Sequence, residues 1–358
     1  MSERVLVAMS GGVDSSVAAA RLTRAGLDVV GVTLHLWDTP DDGSVKGRCC
    51  APEDVHDARR VADVLGIPHF AFDRRELFRE QVVDPFVDAY LGGQTPSPCV
   101  QCNRSVKVHE LLHLADRLGA TRVASGHYAR VRATPTGYHL LRGKDPRKDQ
   151  SYFLHMLSSE DLSRLCFPLG EASKEEVRAE AAQLGLPGAS KGESQELCFV
   201  PKGRYDQFVS EHSPERVRPG PIVDGRSQVV GQHRGIHGFT LGQRRNLGVS
   251  VGQRAYVVGI DRETATVRLG TREELLVTQA VLDQVSVAPD IRLPVDASVM
   301  VRYQGELRAA TLSLESGAGA LFFAEPALAV VPGQFAVFFL GDRVIGGGRI
   351  ISTSRSPG

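Results

Sequence analysis

Apolar residues in this chain fall into short blocks, and the spacing between the blocks changes character along the sequence. Arg4 to Met9 is a β-rich run, and Ser15 to Ala25 is an Ala-rich helical segment ended by Gly26. Val29 to Trp37 is a second β-branched run, followed by a helical segment from Glu53 to Leu65 that Gly66-Ile67-Pro68 stops, and a third strand from His69 to Phe72. Lys107 to Leu118 is again helical, closed by Gly119 and followed by a strand from Arg122 to Ser125. Alternation of this kind predicts an α/β domain with a parallel sheet covered by helices. Ligands of such sheets bind at the carboxyl ends of the strands.

After about residue 160 the pattern loosens. Ser173-Lys174-Glu175-Glu176 fits a capping box opening a helix that ends near Gly185-Leu186-Pro187. From "RPGPIVDGRSQVVG" onward, short β-rich runs alternate with glycines: Ala255 to Ile260, Ala265 to Leu269, Val299 to Tyr303 and Phe335 to Phe339. The expected organisation is a parallel-sheet domain over 1–160, a small, mainly helical central domain over 161–217, and an antiparallel β-barrel over 218–358. No internal repeat or low-complexity tract interrupts it.

Composition narrows the function classes. A chain of 358 residues with 42% hydrophobic and 23% charged residues has the make-up of a soluble globular protein. Its formal net charge of +0 gives no global sign of nucleic acid, so an RNA surface would have to be a local patch. No run approaches the ~18 consecutive apolar residues of a membrane span. Chemistry-bearing sequence starts by Ser10, which argues against a signal peptide and for the cytoplasm. Six cysteines are too few for a disulfide scaffold in a chain of this length and point to metal or catalysis.

Ser10-Gly11-Gly12-Val13-Asp14-Ser15 links the first strand to the first helix and matches neither the Walker A nor the dinucleotide-binding pattern. Adjacent glycines let the backbone approach an anion, and the following helix adds its free N–H groups and positive end. Hydroxyls of Ser10 and Ser15 are further donors. Asp14 has the wrong charge for a phosphate ligand, so Mg²⁺ is its expected partner.

"TPSPCVQCNRSVKV" places Cys99 and Cys102 in a Cys-x-x-Cys pair before a helix, with Arg104 and Lys107 close by to favour a thiolate. Cys198 lies far downstream in "KGESQELCFV". Three uses are open for these thiols: a structural zinc site, which usually has a second ligand pair; a redox dithiol; or sulfur chemistry beside the nucleotide loop. Cys166 reads as a small buried apolar residue. Cys49 and Cys50 lie in a loop that either faces the site or is buried.

The first motif resembles the PP-loop ATP pyrophosphatases, which adenylate a carbonyl oxygen. Together with "TPSPCVQCNRSVKV", "GHYAR" with "GKDPRKDQSYFL", and "FTLGQRRNLG", it resembles the bacterial tRNA-specific 2-thiouridylases, which place sulfur on the wobble uridine of certain tRNAs. The resemblance implies a Rossmann-like PP-loop domain followed by the two regions above. It implies ATP binding by Ala8, Met9, Ser10, Gly11, Gly12, Val13, Asp14 and Ser15, with Leu34 and Gly126 near adenine and ribose. Asp14 would serve catalysis, Cys102 would be the nucleophile, and Cys198 would carry a persulfide, with a transient Cys102–Cys198 disulfide closing each cycle. Ser97, Pro98 and Cys99 would surround the target base. His127, Lys148, Asp149, Gln150, Arg302, Tyr303 and Gln334 would meet tRNA.

The implied reaction is adenylation of uridine O2, then sulfur transfer to C2, giving 2-thiouridine, AMP and pyrophosphate, with a sulfur-donor or relay protein as partner and the chain a monomer. The family usually has Asp where this chain has Cys99. Cys99, Cys102 and Cys198 therefore raise a [4Fe–4S] cluster as an alternative sulfur carrier.

Local basic clusters supply an RNA footprint: Arg142, Lys144, Arg147 and Lys148 around a Pro turn, and Arg234, Arg244 and Arg245 with His233 and His237. Two further readings stay open from the residues alone. One is an amide-forming ATP pyrophosphatase acting on a carboxylate, for which no glutaminase segment supplies ammonia. The other is a non-catalytic nucleotide- or RNA-binding module.

Overall fold

Val5, Leu6 and Val7 have no exposed surface, so both faces of the first strand are covered, as a central parallel strand requires. The computed structural model of the protein describes residues 2–38, 52–187, 197–200, 204–249, 252, 254–315 and 317–355. Cys49 and Cys50 lie outside the described residues. The chain divides into two compact units. The first comprises Met1–Val83, Pro98–Lys202 and Gly341–Ile345; the second comprises Asp84–Ser97, Gly203–Leu340 and Gly346–Gly358. Residues 161–202 therefore belong to the first unit, and 203–217 to the second.

In chain order the first unit begins with β1 (Arg4–Ala8), α1 (Val13–Arg24), β2 (Asp28–His35), α2 (Pro52–Leu65), β3 (His69–Asp73) and α3 (Arg75–Phe78). After α4 (Asp84–Leu91) of the second unit come α5 (Pro98–Cys102), α6 (His109–Leu118), β4 (Arg122–Ala124), the hairpin β5 (Ala129–Thr134) and β6 (Gly137–Arg142), α7 (Ser159–Ser163), β7 (Leu165–Cys166) and α8 (Lys174–Gln183). The parallel sheet has the order β3-β2-β1-β4-β7. Val7 lies opposite Gly31 on one side and Ala124 on the other. Small residues Ala18, Ala19 and Ala20 let α1 settle closely into this core, where Ala58, Val61 and Ala62 of α2 and Val177 and Ala181 of α8 join it. Arg21 clamps α1 to α8 by donating to Glu180 at 2.7 and 2.9 Å, and also to the Pro168 carbonyl at 2.8 Å. The capping box at Ser173 and Glu176 forms as the sequence predicts.

In the second unit, α9 (Tyr205–His212) packs on α4 through Phe86, Tyr90, Tyr205 and Phe208. Two β bodies follow, where the sequence pattern suggested one. The first is a four-stranded sheet of β8 (Gly220–Val223), β9 (Val229–His233), β10 (Tyr256–Asp261) and β11 (Thr266–Gly270), in the order β10-β11-β8-β9. Its core holds Ile222, Val257, Val267 and Leu269. The second is the expected antiparallel barrel: β12 (Val277–Val287), β13 (Val295–Met300), β14 (Arg308–Glu315), β15 (Ala318–Ala327), β16 (Phe335–Leu340) and β17 (Arg343–Ser354). It closes where β12 pairs antiparallel with β17, from Gln279 opposite Ser354 to Val287 opposite Gly346. Strand β13 stops at Met300, short of the expected Tyr303, because the chain turns there: Gly305 N–H donates to the Arg302 carbonyl and Gln304 takes φ 55°. Among the described residues no helix is long and apolar enough to cross a membrane.

Candidate adenylation and thiol site

The loop after β1 is shaped by its own hydroxyls. Met9 N–H still donates to Val32, extending the ladder at 2.8 Å, and then Gly11 takes φ +69°. A Cβ on Gly11 would stand 2.5 Å from the Asp54 carbonyl oxygen, so this position needs glycine on two grounds. Gly12 caps α1 in an extended conformation. Ser15 Oγ donates to the Gly12 carbonyl (3.0 Å) and accepts from Ser10 N–H (3.1 Å), while Ser16 Oγ donates to the same carbonyl (2.9 Å). The Ser15 hydroxyl proton is thus used to hold the turn. What remains for an anion is the first turn of α1, whose N–H groups no helix satisfies internally.

Asp14 faces a partner the sequence did not announce. Lys174 Nζ donates to both carboxylate oxygens, at 2.7 and 2.8 Å, and the Tyr128 hydroxyl donates to Oδ1 at 2.8 Å. Lys174 is 5% exposed and Tyr128 2%. As a magnesium ligand Asp14 therefore fits poorly, since its charge is already matched by an ammonium. Gly126 lies against the same turn: a Cβ there would stand 2.8 Å from the Asp14 carbonyl carbon and 2.8 Å from Ser15 N. Leu34 is buried in β2.

Pro98, Cys99 and Cys102 form α5, which opens directly into π-helical turns over Asn103–Val108. Cys102 is buried and Cys99 half-buried. Cys198 sits half-buried in the turn that Val200 N–H closes on the Leu197 carbonyl. Its neighbour Phe199 anchors that turn, packing edge-on against Phe78 and Trp37 at centroid distances of 5.6 and 6.1 Å. Sequence reading missed this aromatic anchor; the lone Trp37 at the end of the second apolar run was the available signal. The loop Ser10–Ser15, α5 and Cys198 all belong to the first unit.

Among the described residues no group of three or more His, Cys, Asp or Glu side chains is disposed to hold a metal ion, so the arrangement of Cys99, Cys102 and Cys198 lends a cluster or zinc site no support. Cys166, read from the sequence as a small buried apolar residue, is half-buried against the sheet core, and this burial pushes its pKa up to about 11.

The expected tRNA-contacting residues separate by environment. Asp149 is buried and its carboxylate accepts from Arg142 Nε, Gly143 N–H and Ser151 N–H, so it orders the turn after β6. Gln150 and Tyr128 exchange hydrogen bonds, Oε1 accepting from Tyr128 N–H at 3.0 Å and Gln150 N–H donating back to its carbonyl at 2.9 Å. Lys148 is half-buried. His127 is half-buried and shares a 2.7 Å hydrogen bond with Ser125; desolvation of its ring, assisted by the charge of Lys107, pushes its pKa down to about 3, leaving it neutral. In the second unit, Arg302 is exposed and Tyr303 half-buried in the turn after β13. Gln334 Nε2 donates to the carbonyls of Thr95 and Pro96, at 2.9 and 3.1 Å, bracing the segment that ends in Ser97. His233 and His237 leave the basic footprint: both are buried, bonded to Ala265 and Ser210, with pKa values lowered by burial. Arg234, Arg244 and Arg245 are exposed.

A cavity of about 830 Å³ lies at the carboxyl ends of β2 and β3. Arg75 in its wall pairs with Asp73 and Asp38, and Arg74 with Glu110, so these five charged groups are matched among themselves.

Comparison with known proteins gives three successive matches along the chain. Residues 3–202 match the family model described as tRNA methyl transferase HUP domain, 206–271 that of the tRNA methyl transferase PRC-barrel domain, and 275–350 that of the aminomethyltransferase beta-barrel domain. The tRNA-specific 2-thiouridylase MnmA of Sorangium cellulosum is 60% identical over 359 residues, covering 99% of this chain and 93% of that protein. Its counterparts in Methylorubrum populi and Heliobacterium modesticaldum are 48% and 45% identical, covering 97% and 98% of this chain and 93% of each relative.

Proposed function

The chain belongs to the tRNA-specific 2-thiouridylase family, and from that premise we propose how its residues divide the work. It is an ATP-dependent tRNA sulfurtransferase; what carries this reading is 60% identity to a 2-thiouridylase along 99% of the chain. A methyl transfer, which the family models' descriptions mention, would leave the adenylating loop and the thiols of Cys102 and Cys198 without a task.

In the first step O2 of the wobble uridine attacks the α-phosphorus of ATP, and pyrophosphate leaves. The glycine loop and the first turn of α1 receive the phosphates, and their fixed N–H groups stabilise charge that builds during transfer. Magnesium is expected as the companion of the ATP phosphates. In the second step the terminal sulfur of a Cys198 persulfide attacks C2 and AMP leaves. Cys102 then attacks the Cys198 sulfur, which releases 2-thiouridine and leaves a Cys102–Cys198 disulfide. A dithiol reductant supplies the two electrons that reopen it. Ser97, Pro98 and Cys99 would flank the base, flipped out of its stack as base-modifying enzymes require. Arg234, Arg244, Arg245, Arg302, Tyr303, His127 and Lys148 are proposed to face tRNA; Asp149, Gln150 and Gln334 would act by shaping the segments they brace.

A persulfide-delivering protein is the proposed sulfur source, the cytoplasm the proposed location, and a monomer the proposed state. The deciding experiment is nucleoside mass spectrometry of tRNA incubated with the protein, MgATP and a persulfide donor, with and without iron. Wobble 2-thiouridine independent of iron is the expected result. AMP formation with no thiolated base would move the amide-forming reading forward.

A further inference from the structure

Asp14 sits in the first turn of α1, where the proposed reaction brings a polyphosphate and an uncompensated carboxylate would repel it. The fold removes that charge. Lys174 reaches both oxygens from the first residue of α8, and Tyr128 adds a third hydrogen bond. The ammonium is not placed by chance. Its backbone N–H donates to Asp145 Oδ2 at 3.3 Å, the capping box fixes the helix start, and Arg21–Glu180 ties α8 to α1 further along. A lysine this deeply buried is retained only when paired, and its partner here is a residue of the nucleotide loop itself.

We propose that Lys174 is a positioning residue for adenylation and that Asp14 is its anchor instead of a magnesium ligand. The pair holds the first turn of α1 in its phosphate-receiving geometry and cancels the negative charge the motif places there. A second cation at Asp14 would meet the ammonium's charge within hydrogen-bond distance of the same oxygens. The inference rests on the reading that this loop binds ATP.

The test is ATP affinity, measured by calorimetry in Mg²⁺ and in EDTA, for the wild type, Asp14→Asn, Lys174→Met and the double variant. Lys174→Met, which leaves the carboxylate bare, should weaken ATP binding by about tenfold or more in both media. The double variant should bind ATP better than Lys174→Met alone. Whatever factor Asp14→Asn changes affinity by should be equal with and without Mg²⁺. An Asp14→Asn effect that vanishes in EDTA, or a double variant no better than Lys174→Met, would overturn the proposal. If Lys174→Met does not fold, the nearly isosteric Asp14→Asn decides by the same comparison. A wild type that binds no ATP would overturn the functional reading, and the pair's role with it; binding by the wild type confines any failure to the pair.

Discussion

Asn103 donates from Nδ2 to the backbone carbonyl of Cys99 at 2.9 Å, spanning the Cys-x-x-Cys turn from its far end. The bond lies where the α-helical turn of Cys99 and Cys102 widens into π-helical turns, a geometry that recurs at functional sites. Asn103 is buried, so the amide is committed to this one task in holding the turn. Asn103→Ala should cost about 1 kcal/mol of stability, the net worth of one hydrogen bond. Its larger effect should fall on sulfur transfer. Thermal unfolding and single-turnover thiolation, compared with ATP–pyrophosphate exchange, check this: exchange should persist while thiolation falls.

The thiols should sort by role. Cys102→Ser and Cys198→Ser should each abolish 2-thiouridine formation while ATP binding stays at the wild-type level. Cys166→Ala should retain thiolation, because that side chain only fills the edge of the sheet core. With its pKa pushed up to about 11, Cys166 stays protonated at neutral pH, so iodoacetamide should label it more slowly at pH 8 than an ordinary exposed thiol. Peptide mapping after timed alkylation reads both points, and rapid labelling of Cys166 would refute its burial.

Much of the first unit was legible because its signals are local. The run ending at Ala8, the paired glycines and the Ala-rich helix announce a strand, turn and helix within twenty-odd residues, and Ser173 with Glu176 announces a helix start. Nothing local connects Asp14 to Lys174, whose side chain is buried only because the fold returns α8 to α1. The hairpin of β5 and β6 was hidden because Arg130 and Arg132 break its apolar pattern; Arg130 is held in place by the Arg142 carbonyl and by Asp342. His233 and His237 looked basic because residue type carries no information about burial.

Desolvated histidines should make the protein acid-sensitive in a defined window. Burial pushes the His155 pKa down to about 4, and its Nδ1 hydrogen is expected on the Tyr152 carbonyl 2.7 Å away. Above its unfolded value near 6.5, His155 is neutral in both states and contributes nothing. Below 6.5 the unfolded chain takes up a proton that the folded chain refuses, so stability falls as pH falls, by at most about 1.4 kcal/mol per pH unit, until the folded pKa is reached. His127, with its folded pKa at about 3, acts in the same direction. Urea unfolding at pH 7 and pH 5 should show a smaller acid loss for His155→Phe than for the wild type. An equal loss would remove His155 from the account.

Gly126 gives the sharpest test of the loop's geometry. It leads into Tyr128 and lies flat against the first turn of α1, with no room for a methyl group: the Cβ of alanine would be 2.8 Å from both the Asp14 carbonyl carbon and the Ser15 nitrogen, backbone atoms that no rotamer change can move. Either the segment 125–127 backs away or the helix start shifts, and both outcomes disturb the N–H groups that face the phosphates. Gly126→Ala should therefore lower ATP affinity and adenylation together, by about tenfold or more for a displacement of a few tenths of an ångström up to 1 Å. Overall stability should fall by a modest amount, within the range of about 1–3 kcal/mol typical of overpacking. The alternative substitution Gly66→Ala, also at positive φ but with open space around its Cβ position, should strain the backbone without touching ATP binding. Equal loss of ATP affinity in the two variants would mean that general destabilisation, and not contact with the helix start, governs the site.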